Sequence, residues 1–326
     1  MISRPMMARA ASARQEVKLG EGSGVWLAIL SSALGGTAAA VTRYLVSGAD
    51  PVTLAILRWG IGFCCVLPVA LILRVRPPPR ADWPAIAALG LAFFGLFFIL
   101  YNVAIGYTTA ARASLALSTL PLQTMLVGAM LGVERLTLRK SAGVVLAVLG
   151  VAGALAAGLF AAPPGAWKGE LVMAGAVLCM AFYNVWSRPF IARSSALGFL
   201  ALGMGAGALG LVLLGALTGR LTVLSSFGEA QWLAGLYLGV AGGALAFILW
   251  VLALERASPT RVANTMTVNP LAAALLAKAL LGEPITAHLV LGLVAVFGGI
   301  WLATSEPRAS HNTFLEGPAQ APGGRS

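Results

Sequence analysis

Four cations sit inside apolar runs of this chain: Arg43, Arg58, Arg112 and Lys278. A charge in hydrocarbon surroundings is costly unless it is paired or hydrated, so each of them needs a partner. Arginine presents a planar fork of donors that fits a carboxylate or phosphate. Arg58 is the deepest, about six residues into its run, or roughly 9 Å along a helix. Arg58 and Arg112 are therefore candidates for gripping an anionic group on a small solute. A structural alternative stands beside this reading: Asp50 and Glu283 lie close enough in the layout to pair with Arg58. Polar and aromatic groups in the same runs extend the candidate set. Tyr101, Asn102, Tyr183, Asn184, Trp250, Asn264 and Asn269 are expected to bind substrate, and Ser118, Gln123 and Trp186 to lie near them. Amides are costly against lipid and should face protein or water.

What is missing narrows the chemistry. Asp50, Asp82, Glu134, Glu170, Glu255 and Glu283 all fall at the ends of apolar runs, never in the middle. A proton-coupled carrier usually carries a titrating group on its path, so exchange or uniport fits as well as proton coupling. The two histidines, His288 and His311, have no nucleophile or carboxylate cluster beside them. An intramembrane enzyme is not supported, and no catalytic residue, metal site or cofactor is expected. Cys64, Cys65 and Cys179 lack metal-ligand spacing and read as small packing residues. Gly205–Gly210 matches a dinucleotide fingerprint in spacing, but inside an apolar span that motif has no strand to follow.

The elements that must hold these residues are membrane helices. Of the 326 residues, 59% are hydrophobic and 10% charged, against about 25% charged in soluble domains. Apolar runs long enough to span a bilayer recur along the chain. The net charge of +11 is scattered among connections rather than gathered in a patch with aromatics, which excludes a nucleic-acid partner. Breaks such as those at Asp50-Pro51, Arg74–Arg80, Ala161–Gly169 and Gly219–Ala230 mark off ten expected helices. These are about Val25–Ser47, Val52–Leu73, Trp83–Gly106, Thr109–Gly132, Leu138–Phe160, Glu170–Phe190, Ala196–Leu217, Gln231–Glu255, Pro259–Gly282 and Thr286–Thr304. The expected organisation is a cytoplasmic tail (1–24), a five-helix unit (25–160), a linker (161–169), a second five-helix unit (170–304) and a disordered tail (305–326).

The chain states one stretch twice. At a single offset of 149, Arg112 falls on Arg261, Pro121 on Pro270, Glu134 on Glu283, Thr137 on Thr286, Gly143 on Gly292 and Gly150 on Gly299. Five helices is an odd number, so the second unit enters the membrane from the opposite side and the repeats are inverted, as in many secondary transporters. Lys and Arg then fix the orientation. With the N-terminus inside, outer loops hold only Lys168 and Arg220, which places both termini in the cytoplasm. The fold class is an all-α polytopic membrane protein of two inverted five-helix repeats. Pro121 and Pro270 lie mid-helix, where each removes a backbone donor and frees the carbonyl of Leu117 or Met266. Both kinks are expected to face the cavity. Gly235, Gly239 and Gly243, spaced by four, make a flat face suited to close helix approach, as do Gly128 with Gly132 and Gly203 with Gly207. These faces either slide during transport or pack statically.

Pro51-Val52-Thr53-Leu54 with Arg58, Thr108-Thr109-Ala110 through Pro121 to Gly132-Val133-Glu134-Arg135-Leu136-Thr137, and the second copy ending Leu281-Gly282-Glu283-Pro284-Ile285-Thr286 carry a likeness. Over about Val25–Thr304 the chain resembles the drug/metabolite transporter superfamily, in its EamA branch. The resemblance implies a carrier in a bacterial inner membrane, working in the exporting direction. It also implies a central cavity lined mainly by helices 1–4 and 6–9, with helices 5 and 10 peripheral. The expected partners are the bilayer and a small-molecule substrate; monomer and homodimer both stay open. The first expectation for substrate is an amino acid or related amphipathic solute. Phosphorylated or other anionic solutes are the alternative, favoured if Arg58 and Arg112 converge, and an anion-conducting channel is the reading from another class.

Overall fold

Helices form wherever an apolar run is long enough to satisfy its own backbone, and they stop at proline, glycine and charge. The computed structural model describes residues 4–132, 138–157, 163–257 and 259–304, all of whose regular structure is helical. In chain order these are α1 (Arg4–Leu45), α2 (Pro51–Ile72), α3 (Trp83–Gly90), α4 (Phe98–Tyr107), α5 (Ala110–Leu117), α6 (Leu120–Met130), α7 (Leu138–Ala157), α8 (Ala166–Arg193), α9 (Ala196–Leu217), α10 (Glu229–Gly239), α11 (Ala246–Arg256), α12 (Pro259–Asn264), α13 (Val268–Leu281) and α14 (Ala287–Thr304). Several join end to end. Among the described residues, seven continuous helices are long and apolar enough to cross a membrane, including Arg80–Tyr107, Ala110–Met130 and Glu229–Arg256. The chain is thus an all-helical, multi-pass membrane protein.

Boundaries depart from the sequence reading where local chemistry is permissive. The helix containing the first apolar run begins at Arg4 rather than Val25, because Ala, Met, Arg, Gln and Glu upstream are good helix formers. α8 begins at Ala166, inside the expected linker, after Gly165 takes a left-handed conformation. Gly132 also has positive φ, at 71°, just past the end of α6. It ends a helix rather than extending a flat face with Gly128, which corrects the pairing drawn from spacing. Glu134, Arg135, Thr137 and the tail from Ser305 lie outside the described residues.

Two features are absent from the sequence reading. α3 and α4 are joined through a π-helical turn at Leu91–Phe97, and α10 and α11 through another at Val240–Leu245. Both begin at the offset of 149 that relates the repeats. The proline breaks are likewise paired. α5 yields to α6 at Ser118-Thr119, one turn before Pro121 has to supply an N–H, and α12 yields to α13 through a tight turn at Thr265–Thr267, just before Pro270. Ser118 Oγ donates to the Met266 carbonyl at 3.4 Å, so the two breaks meet. α7 and α14 pack on each other, Gly150 against Ala295.

Candidate functional site

α2 begins with a strong cap. The Asp50 carboxylate accepts from the backbone N–H of Val52 (3.0 Å) and Thr53 (3.3 Å) and pairs with Arg220 at 2.7 Å. Partial burial pushes the Asp50 carboxyl up, but hydrogen bonds from Thr53, Arg220 and the backbone outweigh it and hold it below its ordinary value. Two turns later α2 carries Arg58 into the protein, where it is 4% exposed.

Neither acid suggested by the sequence reaches Arg58. Asp50 is engaged by Arg220, and Glu283 by Arg43 at 3.5 Å. Instead Arg58 donates from Nε (3.2 Å) and Nη2 (2.7 Å) to the Gly242 carbonyl. That carbonyl lies in the second π-helical turn. The Ala246 N–H, its ordinary partner four residues on, bonds to Ala241 and Gly243 oxygens, and Gly242 turns toward the guanidinium. A π-turn frees backbone groups in this way, and such turns cluster at functional sites. Arg58 also lies over the rings of Phe98 (4.7 Å), Trp59 (5.3 Å) and Tyr101 (5.9 Å), whose π faces attract a cation. Its Nη1 has no hydrogen-bond partner, and among the described residues no carboxylate pairs with it.

Arg58 lines a central cavity of about 30 Å³, roughly the space of one water. Ser31 and Gly35 of α1, Phe97, Phe98 and Tyr101, Leu117, Met180 of α8, Ala246, Phe247 and Trp250, and Met266 and Asn269 complete its wall. Phe98 and Tyr101 fall on Phe247 and Trp250 at the repeat offset, so each repeat contributes one aromatic pair just beyond its π-turn. Trp59 ties them together, 4.4 Å from Phe98 and 5.0 Å from Phe247 by ring centroids. Ser31 Oγ is spent on the Ala246 carbonyl (2.7 Å). Asn269 is buried with its Oδ1 unpartnered.

The other expected site residues sort by distance from this cavity. Arg58, Tyr101, Trp250 and Asn269 line it. Asn184 sits behind the wall and accepts from Trp250 Nε1 at 3.3 Å, while its Nδ2 is unpartnered. Tyr183 stacks on Phe93 at 4.3 Å with its hydroxyl unpartnered. Asn264 is half-buried on α12, its Oδ1 unpartnered. Asn102 donates to the Pro51 carbonyl (2.9 Å), pinning the start of α2. Gln123 binds the Ala174 carbonyl (3.0 Å). Trp186 is 46% exposed, on the outer surface. Pro121 and Pro270 are both buried beside breaks whose Leu117 and Met266 reach the cavity. Sequence reasoning did not single out Ser31, Gly35, Phe97, Phe98, Met180 and Phe247, which lie unmarked inside long apolar runs. The repeat offset was the signal that could have drawn out Phe98 and Phe247.

The glycine face of α10 and the π-turn that follows it packs on α2 beside Arg58. A Cβ on Gly239 would lie 2.5 Å from Ile61 Cβ, and one on Gly243 would lie 2.7 Å from the Arg58 carbonyl. Gly235 is looser, about as far from Leu57 as ordinary contact, 3.5 Å.

Arg112 belongs elsewhere. Its Nη2 pairs with Glu170 at 2.6 Å and also reaches the Leu155 carbonyl. It lines a vestibule of about 740 Å³ together with Arg43, Tyr44, Thr109, Pro163 and Glu283. At that end Glu283 accepts from the Ala110 N–H (3.2 Å) and pairs with Arg43, which donates to the Ile105 and Gly106 carbonyls. Burial pushes the Glu283 carboxyl up, and the Arg43 charge and the Ala110 N–H offset this only in part.

The sequence matches the EamA-like transporter family model twice, over residues 22–156 and 167–305. It is 28% identical over 84% of its length to a protein of Streptantibioticus cattleyicolor named "Probable terminal-alkyne amino-acid exporter", spanning 91% of that protein. It is 24% identical over 85% of its length to an uncharacterized transporter of Archaeoglobus fulgidus, spanning 97% of it. A crystal structure 21% identical in sequence superposes with a TM-score of 0.65, over 87% of this chain and 96% of the other, and shows the same fold. Two family units in tandem, surrounding a buried cation and two repeat-related aromatic pairs, leave one assignment: the chain belongs to the EamA-like transporter family.

Proposed function

We propose that this protein is a secondary carrier that exports a small organic solute bearing a carboxylate, an amino acid or a related amphipathic acid. The observation that carries this reading is Arg58: buried at the central cavity, held by a backbone carbonyl and aromatic faces, with one nitrogen free and no described acid to neutralise it. Removing a charge from water and leaving it unpaired is expensive. A substrate carboxylate on the free Nη1 would supply the missing partner as a charge-assisted hydrogen bond. Export follows the name of the Streptantibioticus relative.

The proposed frame is ten membrane helices in two inverted five-helix repeats, both termini cytoplasmic, in the plasma membrane. Support comes from the coincidence, at one offset, of the π-turns, the aromatic pairs and the proline breaks. In that frame the vestibule at Arg43 and Arg112 opens on the outer face. The cavity in this conformation is too small for any organic solute, so transport requires the halves to rock apart around it, giving alternating access. No catalytic step is proposed.

Because Arg112 is engaged by Glu170 and lies away from Arg58, a second cation does not converge on the cavity, which disfavours a phosphorylated solute. A cavity of about 30 Å³ leaves no continuous water-filled path past Arg58, which disfavours an anion channel. The test is counterflow in proteoliposomes with a panel of amino acids, sugars and phosphorylated metabolites, with and without a pH gradient. Saturable exchange of carboxylate-bearing solutes, lost in Arg58→Gln, is expected. Unitary conductance steps, or exchange indifferent to the substitution, would sink the reading.

A further inference from the structure

Arg58 brings one positive charge to the cavity, and nothing described there brings a negative one. Most of the wall is apolar, with Phe97, Phe98, Phe247, Trp250, Leu117 and Met266 its larger side chains. Its two polar side chains besides Arg58 and Tyr101 are Ser31, already donating to the Ala246 carbonyl, and Asn269, whose Oδ1 is an unpartnered acceptor. The described acids that form ion pairs, Asp50, Asp82, Glu170 and Glu283, are committed to cations outside this cavity.

We propose that the cavity selects solutes with a single carboxylate and no ammonium, carrying a neutral N–H or O–H donor beside the carboxylate and an apolar body. This rests on the carrier reading above and narrows its substrate class. One carboxylate on Arg58 makes the loaded site neutral. A free amino acid would add an ammonium within a few ångströms of the guanidinium. That ammonium would find no carboxylate, and it would compete with Arg58 for ring faces that Phe98, Trp59 and Tyr101 already turn to the guanidinium. A buried charge left unpaired costs more than a neutral donor meeting Asn269 Oδ1. N-acylated amino acids and 2-hydroxy acids have the required pattern. In net uptake a carrier of this kind moves charge with its substrate, whereas one for zwitterions does not; in one-for-one exchange neither does.

The test compares phenylalanine, N-acetylphenylalanine and phenyllactate on the full-length protein in proteoliposomes, by counterflow and by solute-triggered current. The two monoanions are expected to exchange with at least 10-fold greater kcat/KM than phenylalanine and, where they enter vesicles holding no counter-substrate, to give a current. Arg58→Lys should keep part of the preference and Arg58→Gln should lose it; size-exclusion and thermal-shift profiles identify either variant that fails to fold. Asn269→Ala should narrow the gap between phenyllactate and its analogue lacking the hydroxyl. Equal or faster exchange of phenylalanine overturns the inference while leaving a carboxylate carrier standing. Monoanion preference that persists in folded Arg58→Gln overturns it as well. If none of the three exchanges while other amino acids on the wider panel do, the inference fails alone; if only sugars or phosphorylated metabolites exchange, or nothing does, the carboxylate-carrier reading falls with it.

Discussion

Two interfaces in this molecule are copies of each other. α2 packs on the π-turn Val240–Leu245, and α9 packs on the π-turn Leu91–Phe97. In both, glycine brings backbones together: Gly239 and Gly243 against Leu57–Ile61 in one, Gly203 and Gly207 against Gly90 and Phe94 in the other. In both, the packing helix is capped by a side chain at its N-terminus, Asp50 for α2 and Ser195 for α9. The difference is Arg58. Aligned on the caps, its place in α9 is taken by Gly203, which meets Gly90 backbone to backbone. One scaffold thus serves twice, once as a closed joint and once as a joint with a cation wedged against a freed carbonyl. Symmetry supplies the shape of the cavity, and its loss at one position supplies the charge.

This comparison can be broken experimentally. The largest effect is expected from Arg58→Gln, which makes the first interface as neutral as the second: counterflow should fall at least 30-fold, as when a buried charged contact worth a few kcal/mol is removed, with the protein still folded. Next, Arg112→Met strands Glu170 without its partner and should destabilise by about 3 kcal/mol, read as a lowered Tm, whereas Arg112→Met with Glu170→Leu should recover most of it. An Arg58 variant that loses stability as Arg112→Met does would mean that Arg58, too, is structural.

Substitutions in the glycine joints sharpen the contrast further. Gly243→Val and Gly207→Val both force a Cβ into a neighbouring helix, 2.7 Å from the Arg58 carbonyl and 2.5 Å from Phe94 Cβ. Each should cost about 1–3 kcal/mol of stability. Transport per folded molecule should fall more for Gly243→Val, since it displaces the backbone that carries Arg58.

The smallest effect lies in the caps. Asp50→Asn and Ser195→Ala should each cost about 1 kcal/mol or less, but with different pH dependence. The Asp50 carboxyl is held below 3.8 in the folded protein. Its charge-dependent stabilisation is therefore full above that value and lost as pH falls through the lower folded value. The Tm gap between wild type and Asp50→Asn should close in acid, and the gap for Ser195→Ala should not.

The helical class, the repeat and the family likeness were legible because they are written in one dimension: apolar run length, and Arg, Pro, Glu and Thr matched at one offset. Arg58 was legible as an oddity because its counterpart stretch holds glycines. Its partner was not. Asp50 and Glu283 looked near, yet each is taken by a different arginine reached through tertiary packing. The acceptor that Arg58 found is a backbone carbonyl, which no residue type announces. The π-turns were silent for the same reason, since Leu91–Phe97 and Val240–Leu245 contain neither proline nor charge. Asn102 and Gln123 carried the right chemistry, but their amide NH2 groups donate to carbonyls of neighbouring helices.

The paired π-turns have a consequence for how each long helix divides its labour. A π-turn holds about one residue more than an α-turn, and one residue is about 100° of rotation around a helix. It therefore acts as a phase shifter. Up to the turn, Gly90 and Gly239 keep in step with the neighbouring helix; beyond it, the same helix is out of phase with that neighbour and in phase with the centre, where it delivers Phe98 with Tyr101 and Phe247 with Trp250. A helix of uniform pitch would have to tilt or twist as a whole to face both ways. With the shift built in at the midpoint, one continuous helix packs on two partners, and the slack that lets it do so is the slack that leaves the Gly242 carbonyl free.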